Sequence, residues 1–152
     1  EVMDALQLNA FAQRSMLSLS GGERQRVHLA RAVAQIWSSP VPALLLLDEP
    51  FAALDIAHQV GVRRLLAQVL ADHPVSIISV VHDLGQPTQG YDQVCLLTEQ
   101  GDQLAFGSPS AVLTSAHLSE LYGITISEMH YGDGTPAGFG AAPAVPNAEP
   151  FA

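Results

Sequence analysis

The chain has 152 residues, 48% of them hydrophobic and 14% charged, which is enough apolar material for one domain with a real core. Its formal net charge is −9 and its sequence pI is about 4.8, which argues against a nucleic-acid binder that needs a basic face. No apolar run reaches the roughly 18 residues a membrane-spanning helix requires, and no secretory signal pattern opens the chain. A soluble domain is therefore expected, and because residue 1 is Glu rather than Met, one that begins inside a longer protein.

All basic residues are arginine, between Arg14 and Arg64, and there is no lysine. The single cysteine, Cys95, cannot form an internal disulfide, and no Cys/His cluster has zinc spacing. Lying in an apolar stretch, it reads as a small core residue in a reduced compartment.

In chain order, Val2 to Leu8 reads as a short helix and Asn9 to Leu19 as a connector. Ser20 looks like the N-cap of a helix running to about Trp37, with Val27, Ala30, Ala34 and Trp37 on one stripe. Ser38 to Pro42 is a breaker cluster. Ala43 to Leu47 is a continuous apolar run ending in Asp48 and Glu49, which suits a fully buried parallel strand. Ile56 to Ala71 returns to helical period, and Pro74 stops it. Val75 to Val81 is a second buried strand, ending at His82, and Gln93 to Thr98 a third. Gly101-Asp102 makes a turn from which Gln103 to Phe106 pairs back as a hairpin. Ser108 caps a short helix with Pro109 in its first turn, and Ala116 to Tyr122 is another. Strands alternating with helices predict an α/β fold with a sheet that is parallel in its core. From Gly132 the sequence turns to Gly, Ala and Pro, too poor in large apolar groups to offset ordering entropy, so 132–152 is expected to be a disordered tail.

Four stretches carry chemistry. In Leu19-Ser20-Gly21-Gly22-Glu23-Arg24-Gln25, a serine and two glycines stand where a helix begins. Free N–H groups and the positive end of the dipole face out there, which makes an anion site. An ordinary capped helix after a glycine-rich turn reads the same. In Leu44-Leu45-Leu46-Leu47-Asp48-Glu49-Pro50, two acids end a strand, where open α/β sheets place ligands. Asp48 suits Mg²⁺ through water, and Glu49 suits a water-orienting or proton-accepting role. A strand that simply ends in a polar turn is the plain alternative. His82 follows the next strand, at the same sheet edge if the two strands are neighbours, where it can donate to a phosphate oxygen; alone it is an ordinary surface histidine. Asp55, in Ala53-Leu54-Asp55, could simply cap the helix beginning at Ile56.

In this order the four stretches resemble the ABC ATPase family. Leu19 to Gln25 looks like its signature motif, Leu44 to Glu49 its Walker B segment, Ala53 to Asp55 its D-loop and His82 its H-loop. The resemblance covers about residues 1–125. It implies a P-loop NTPase (RecA-like) parallel sheet core, incomplete, with residues 1–42 a portion of the helical subdomain and 43–131 a portion of the catalytic core. The flanks Gly22-Glu23-Arg24-Gln25-Arg26-Val27-His28-Leu29-Ala30-Arg31-Ala32 and Leu54-Asp55-Ile56-Ala57-His58-Gln59 look like the branch serving haem, iron-siderophore and vitamin B12 importers, with haem importers closest.

The resemblance implies two such subunits closing head-to-tail, as a homodimer, around two ATP molecules. Ser20, Gly21 and Gly22 would touch the γ-phosphate of ATP on the partner subunit, with Gln25 counted among the ATP-binding residues. Asp48 would support Mg²⁺, Glu49 would act on the attacking water, and His82 would contact the γ-phosphate. Asp55 would cross the dimer seam. The further partners implied are membrane permease subunits and, indirectly, a periplasmic binding protein, with no nucleic acid and a peripheral place on the cytoplasmic face of the inner membrane.

The chain departs from the family in one major way. The phosphate-cradling G-x-x-x-x-G-K-[ST] loop is absent, and without lysine no version of it can be built. The adenine-stacking aromatic and the Q-loop glutamine are not found either. Truncation upstream is the expectation, with poor ATP binding and negligible hydrolysis by these residues alone. A smaller departure is the Pro and two Gly in Leu84-Gly85-Gln86-Pro87-Thr88-Gln89-Gly90, where a short or kinked helix is expected. Two other readings compete with an importer ATPase. A soluble ABC ATPase of translation or DNA repair is disfavoured by the single compact cassette and the Ala57-His58-Gln59 flank. A non-catalytic module lending its signature helix to a partner is disfavoured by the intact Glu49.

Overall fold

The computed structural model describes residues 2–37, 41–82, 90–133 and 136–141. The chain divides into two compact units, Glu1–His82 and Asp83–Ala152.

In the first unit, α1 (Val2–Ala5) leads through two 3₁₀ turns, Asn9–Phe11 and Met16–Ser18, into α2 (Gly21–Ile36). Strand β1 (Ala43–Asp48), helix α3 (Ile56–Asp72) and strand β2 (Val75–Val80) follow. The two strands pair in parallel from Ala43↔Val75 to Asp48↔Val80, as expected for strands joined by a crossover helix. Both long helices begin with a side-chain cap. Ser20 and Glu23 form a capping box at α2, and the Asp55 carboxylate accepts from the His58 N–H at α3.

The core joins Leu6 and Leu8, Leu29, Ala30 and Val33 of α2, Leu45 and Leu47 of β1, Phe51, and Val62, Leu65, Leu66 and Val69 of α3. Each fully buried Leu or Val here contributes roughly 1.5–3 kcal/mol. The buried face of α2 is Arg26, Leu29, Ala30 and Val33, rotated from the expected stripe, and Ala34 is exposed. That face follows the i, i+3, i+4, i+7 spacing. It accommodates Arg26 because an arginine carries a long apolar stem.

Strands β1 and β2 are not buried on both sides, contrary to the expectation from their apolar runs. Leu45 and Leu47 point into the core, while Leu44 and Leu46 are 56% and 67% exposed, and Ile78 and Val80 are also exposed. Successive strand residues face opposite sides, and α1, α2 and α3 supply cover for one side only.

In the second unit, β3 (Val94–Leu97) pairs antiparallel with β4 (Gln103–Gly107). Gly101, at φ 87°, supplies the left-handed residue of the connecting turn. Helices α4 (Pro109–Val112) and α5 (Ser115–Tyr122) follow, then β5 (Ile126–His130). Leu96, Val112, Leu113, Leu118 and Ile126 form the core of this unit. Cys95 is exposed rather than buried, because alternation along β3 turns Leu96 inward and Cys95 outward.

The expected disordered tail is corrected over part of its length. Pro136–Ala141 form β6, antiparallel to β5. The ladder satisfies the backbone of this small-residue segment, and Phe139 packs against the second core. Gly140 lies so close to Met129 that a Cβ there would sit 3.0 Å from its sulfur. Residues 142–152 and the expected short or kinked helix over 84–89 lie outside the described residues.

Candidate functional site

The candidate residues of the first unit gather at two places: the N-terminal tip of α2, and the carboxyl ends of β1 and β2 with the loop that leaves β1.

At the tip, the Ser20 Oγ accepts from the Glu23 N–H (3.3 Å), and the Ser20 N–H donates to Glu23 Oε2 (2.7 Å). The Glu23 carboxyl is held below its usual range, first by the Ser20 backbone N–H and next by the Ser20 hydroxyl. The capping box uses the N–H groups of residues 20 and 23. It leaves those of Gly21 and Gly22 for an external acceptor. Ser20 and Gly21 are exposed. The two glycines differ. A Cβ on Gly21 would meet nothing within 4 Å, whereas one on Gly22 would stand 2.7 Å from the Ala53 carbonyl oxygen. Gly21 leaves space on the outside of the tip, and Gly22 lets α2 close onto the loop after β1.

At the strand ends, the Glu49 N–H donates to Val80 O (3.0 Å), extending the β1–β2 ladder by one bond. His82 leaves β2 at the same edge, and its Nε2 lies 3.3 Å from Glu49 Oε1. Asp48, opposite Val80, is exposed beside them. The structure therefore brings Asp48, Glu49 and His82 to one end of the parallel pair.

The loop from Glu49 to Asp55 holds two non-glycine residues with left-handed backbone, Glu49 at φ 46° and Ala53 at φ 58°. Each such residue costs roughly 1–2 kcal/mol, so neighbouring contacts must impose the shape. Phe51 is buried, with the Arg63 guanidinium 4.7 Å over its ring. The Gln59 amide donates to Leu54 O (3.2 Å) and the Gln25 amide to Glu49 O (3.0 Å). Asp55 caps α3 through the His58 N–H (2.9 Å) and also meets His58 Nδ1 (2.8 Å). The His58 N–H first, and its ring second, hold the Asp55 carboxyl below the usual range.

Some of these features escaped the sequence reading. Gln25 sends its side-chain amide to the acid loop, 24 residues away. Arg26 is buried, and its Nε and one terminal nitrogen have no hydrogen-bond partner among the described residues. With Gln7 and His58 it lines a cavity of about 10 Å³, space for about one water. Asp48, Glu49 and His82 do not line that cavity. A buried arginine carries no local sequence mark, although its spacing on the apolar face of α2 was a usable signal.

Comparison with known proteins addresses the family and the fold. A family model described as ABC transporter matches residues 1–52. The hemin import ATP-binding protein HmuV of Escherichia coli O157:H7 is 41% identical over 128 residues, covering 84% of this chain and 50% of that protein. The protein of the same name from Burkholderia cenocepacia (strain HI2424) is 37% identical over 133 residues, covering 84% and 48%. A solved structure described as a metal-chelate type ABC transporter in an inward-facing conformation superposes with a TM-score of 0.72 at 31% identity, covering 93% of this chain and 55% of that one. The motifs and fold are those of an ABC transporter ATP-binding domain. A second solved structure, an ATP-binding cassette of an ABC transporter, has the same fold at a TM-score of 0.64 and 21% identity, covering 80% and 47%. The chain spans about half the length of the curated relatives it matches.

The cassette's acid pair fits a metal site that phosphate would complete. Asp48 and Glu49 offer hard oxygen donors, and Mg²⁺ takes one or two carboxylates while waters and substrate phosphates fill the rest. Among the described residues, no group of three or more His, Cys, Asp or Glu could hold a metal by itself.

Proposed function

We propose that this chain supplies two different half-sites of an ATP-hydrolysing ABC importer subunit. One is the Ser20-Gly21-Gly22 tip, which faces ATP held by a second copy. The other is the Asp48, Glu49 and His82 edge, which faces ATP held by its own subunit. The observation that carries the proposal is the 3.3 Å approach of His82 to Glu49 at the edge where Asp48 also stands, with the Ser20 tip open to solvent.

In this reading Glu49 orients and deprotonates the attacking water, and His82 holds its Nε2 at the γ-phosphate side of that water. Ser20 donates its hydroxyl proton, and Gly21 and Gly22 their backbone N–H groups, to the partner-bound γ-phosphate. Asp55, at the exposed start of α3, lies at the seam between the two copies. Asp48 would hold Mg²⁺, which when bound would offset phosphate charge.

The relatives named for hemin import and the flanks of the signature helix together support haem, or a chemically related iron chelate, as the cargo. The partners are then permease subunits, with a periplasmic binding protein acting through them, and the place of action is the cytoplasmic face of the membrane. No helix among the described residues is long and apolar enough to cross a membrane, which agrees with a peripheral position.

These 152 residues contain no G-x-x-x-x-G-K-[ST] loop and no lysine, so they are expected to bind ATP weakly and hydrolyse it negligibly alone. The test is ATP turnover by a longer form that carries such a loop, with and without Glu49→Gln. A loss of about 10² or more in kcat with ATP binding retained supports the reading. Unchanged turnover overturns the role of Glu49.

A further inference from the structure

The Glu49 peptide is fixed on every side. Its N–H donates to Val80 O, and its carbonyl oxygen accepts two bonds, one from the Ala52 N–H and one from the Gln25 side-chain amide, each of the three at 3.0 Å. Both lone pairs of that carbonyl are therefore used. The Val80 bond is ladder and the Ala52 bond closes the local turn. The Gln25 bond reaches the carbonyl from a different helix. It meets the residue whose backbone is left-handed at φ 46°, a conformation that a non-glycine residue keeps only when its surroundings impose it. A second contact from the same turns of α2 reaches the other left-handed residue of the loop, where Gly22 packs on the Ala53 carbonyl oxygen.

We propose that Gln25 is a positioning residue for Glu49. Its amide holds the Glu49 peptide in the left-handed conformation that sets the carboxylate beside His82. Gln25 therefore acts on the reaction through Glu49, in place of the ATP contact that the family resemblance implied for it. Because Ser20 opens the same helix, movement of the α2 tip is passed to Glu49 through this bond. The inference rests on the reading of Glu49 as the residue that acts on the attacking water.

The test uses the longer, loop-bearing form of the protein and compares Gln25→Met, Gln25→Glu and Glu49→Gln. Methionine keeps the length and bulk of glutamine but has no N–H to donate. Glutamate keeps the shape but sets an acceptor against an acceptor. The expected result is a fall in kcat of about tenfold for Gln25→Met and more for Gln25→Glu, the scale of one lost hydrogen bond in a working geometry. KM and the equilibrium affinity for ATP should stay within about twofold of wild type, and Gln25→Met should cost nothing further when added to Glu49→Gln. Wild-type kcat in Gln25→Met overturns the proposal. So does a parallel loss of ATP affinity, the mark of a general packing defect, and so does a loss that multiplies with that of Glu49→Gln. Full turnover by Glu49→Gln would sink the underlying reading and this inference together, whereas an inactive Glu49→Gln beside a fully active Gln25→Met sinks this inference alone.

Discussion

His82 and Glu49 meet across the ends of two parallel strands, Nε2 to Oε1 at 3.3 Å, with side chains 75% and 48% exposed. The register Asp48↔Val80 places them there, because each strand leaves the sheet at the same level. An exposed pair of this kind adds little to stability, so its value lies in where it puts the two groups. His82→Ala is expected to leave the melting temperature within about 2 °C of wild type while lowering ATP turnover of the loop-bearing protein about 10²-fold, the scale of removing one donor from a developing charge. Paired thermal melts and rate measurements check both halves.

The two glycines of the α2 tip should separate under substitution. Gly21→Ala adds a Cβ into open space and replaces glycine in a helix, so stability should hold or rise by up to about 1 kcal/mol. Its ATP turnover should fall, because that Cβ occupies the approach to the exposed tip. Gly22→Ala meets the Ala53 carbonyl oxygen at 2.7 Å and should destabilise by about 1–3 kcal/mol. Denaturant titration read beside turnover distinguishes the two effects.

Asp55 gives a pH signature. Its carboxyl is lowered from 3.8 by the His58 N–H and ring. A depressed pKa contributes stability that is present above the unfolded value and is lost as pH falls through the folded one. The start of α3 should therefore loosen as pH drops below about 4. Asp55→Asn should keep the cap at neutral pH and flatten this acid limb. Melting temperatures of the two proteins between pH 6 and 2.5 test it, and parallel curves would contradict it.

The two faces of β1 should respond oppositely to substitution. Leu45, 5% exposed on the covered side, should cost about 2–5 kcal/mol as Leu45→Ala. Leu46, 67% exposed on the other side, should cost less than about 0.5 kcal/mol as Leu46→Ser in the 152-residue chain, and should reduce its self-association. Denaturant midpoints and light scattering provide the readouts.

Much of this was legible in the sequence. Ser20 and Asp55 announced helix starts because capping is local chemistry, and the apolar runs before Asp48 and His82 announced strands. The parallel pairing and the shared edge of Asp48, Glu49 and His82 followed from a strand, helix, strand order. Other features depend on what packs nearby. Leu44 and Leu46 read as buried because the run does not say how many faces are covered. Cys95 read as buried for the same reason, although strand alternation turns it outward. Residues 136–141 read as structureless because their order comes from pairing with Ile126–His130, not from their own side chains. The Gln25 bond to Glu49 spans 24 residues, beyond any local pattern.

The central claim is that one chain gives its helix tip to one ATP and its acid edge to another. Mixing two inactive variants of the loop-bearing protein, Ser20→Arg and Glu49→Gln, tests it most directly. In a mixed head-to-tail pair, the intact Glu49 of one copy meets the intact Ser20 of the other at a single site. The account predicts recovery of about a quarter of the wild-type ATPase rate, since random exchange makes half the pairs mixed and each mixed pair holds one complete site of two. A mixture no more active than either variant alone would contradict it.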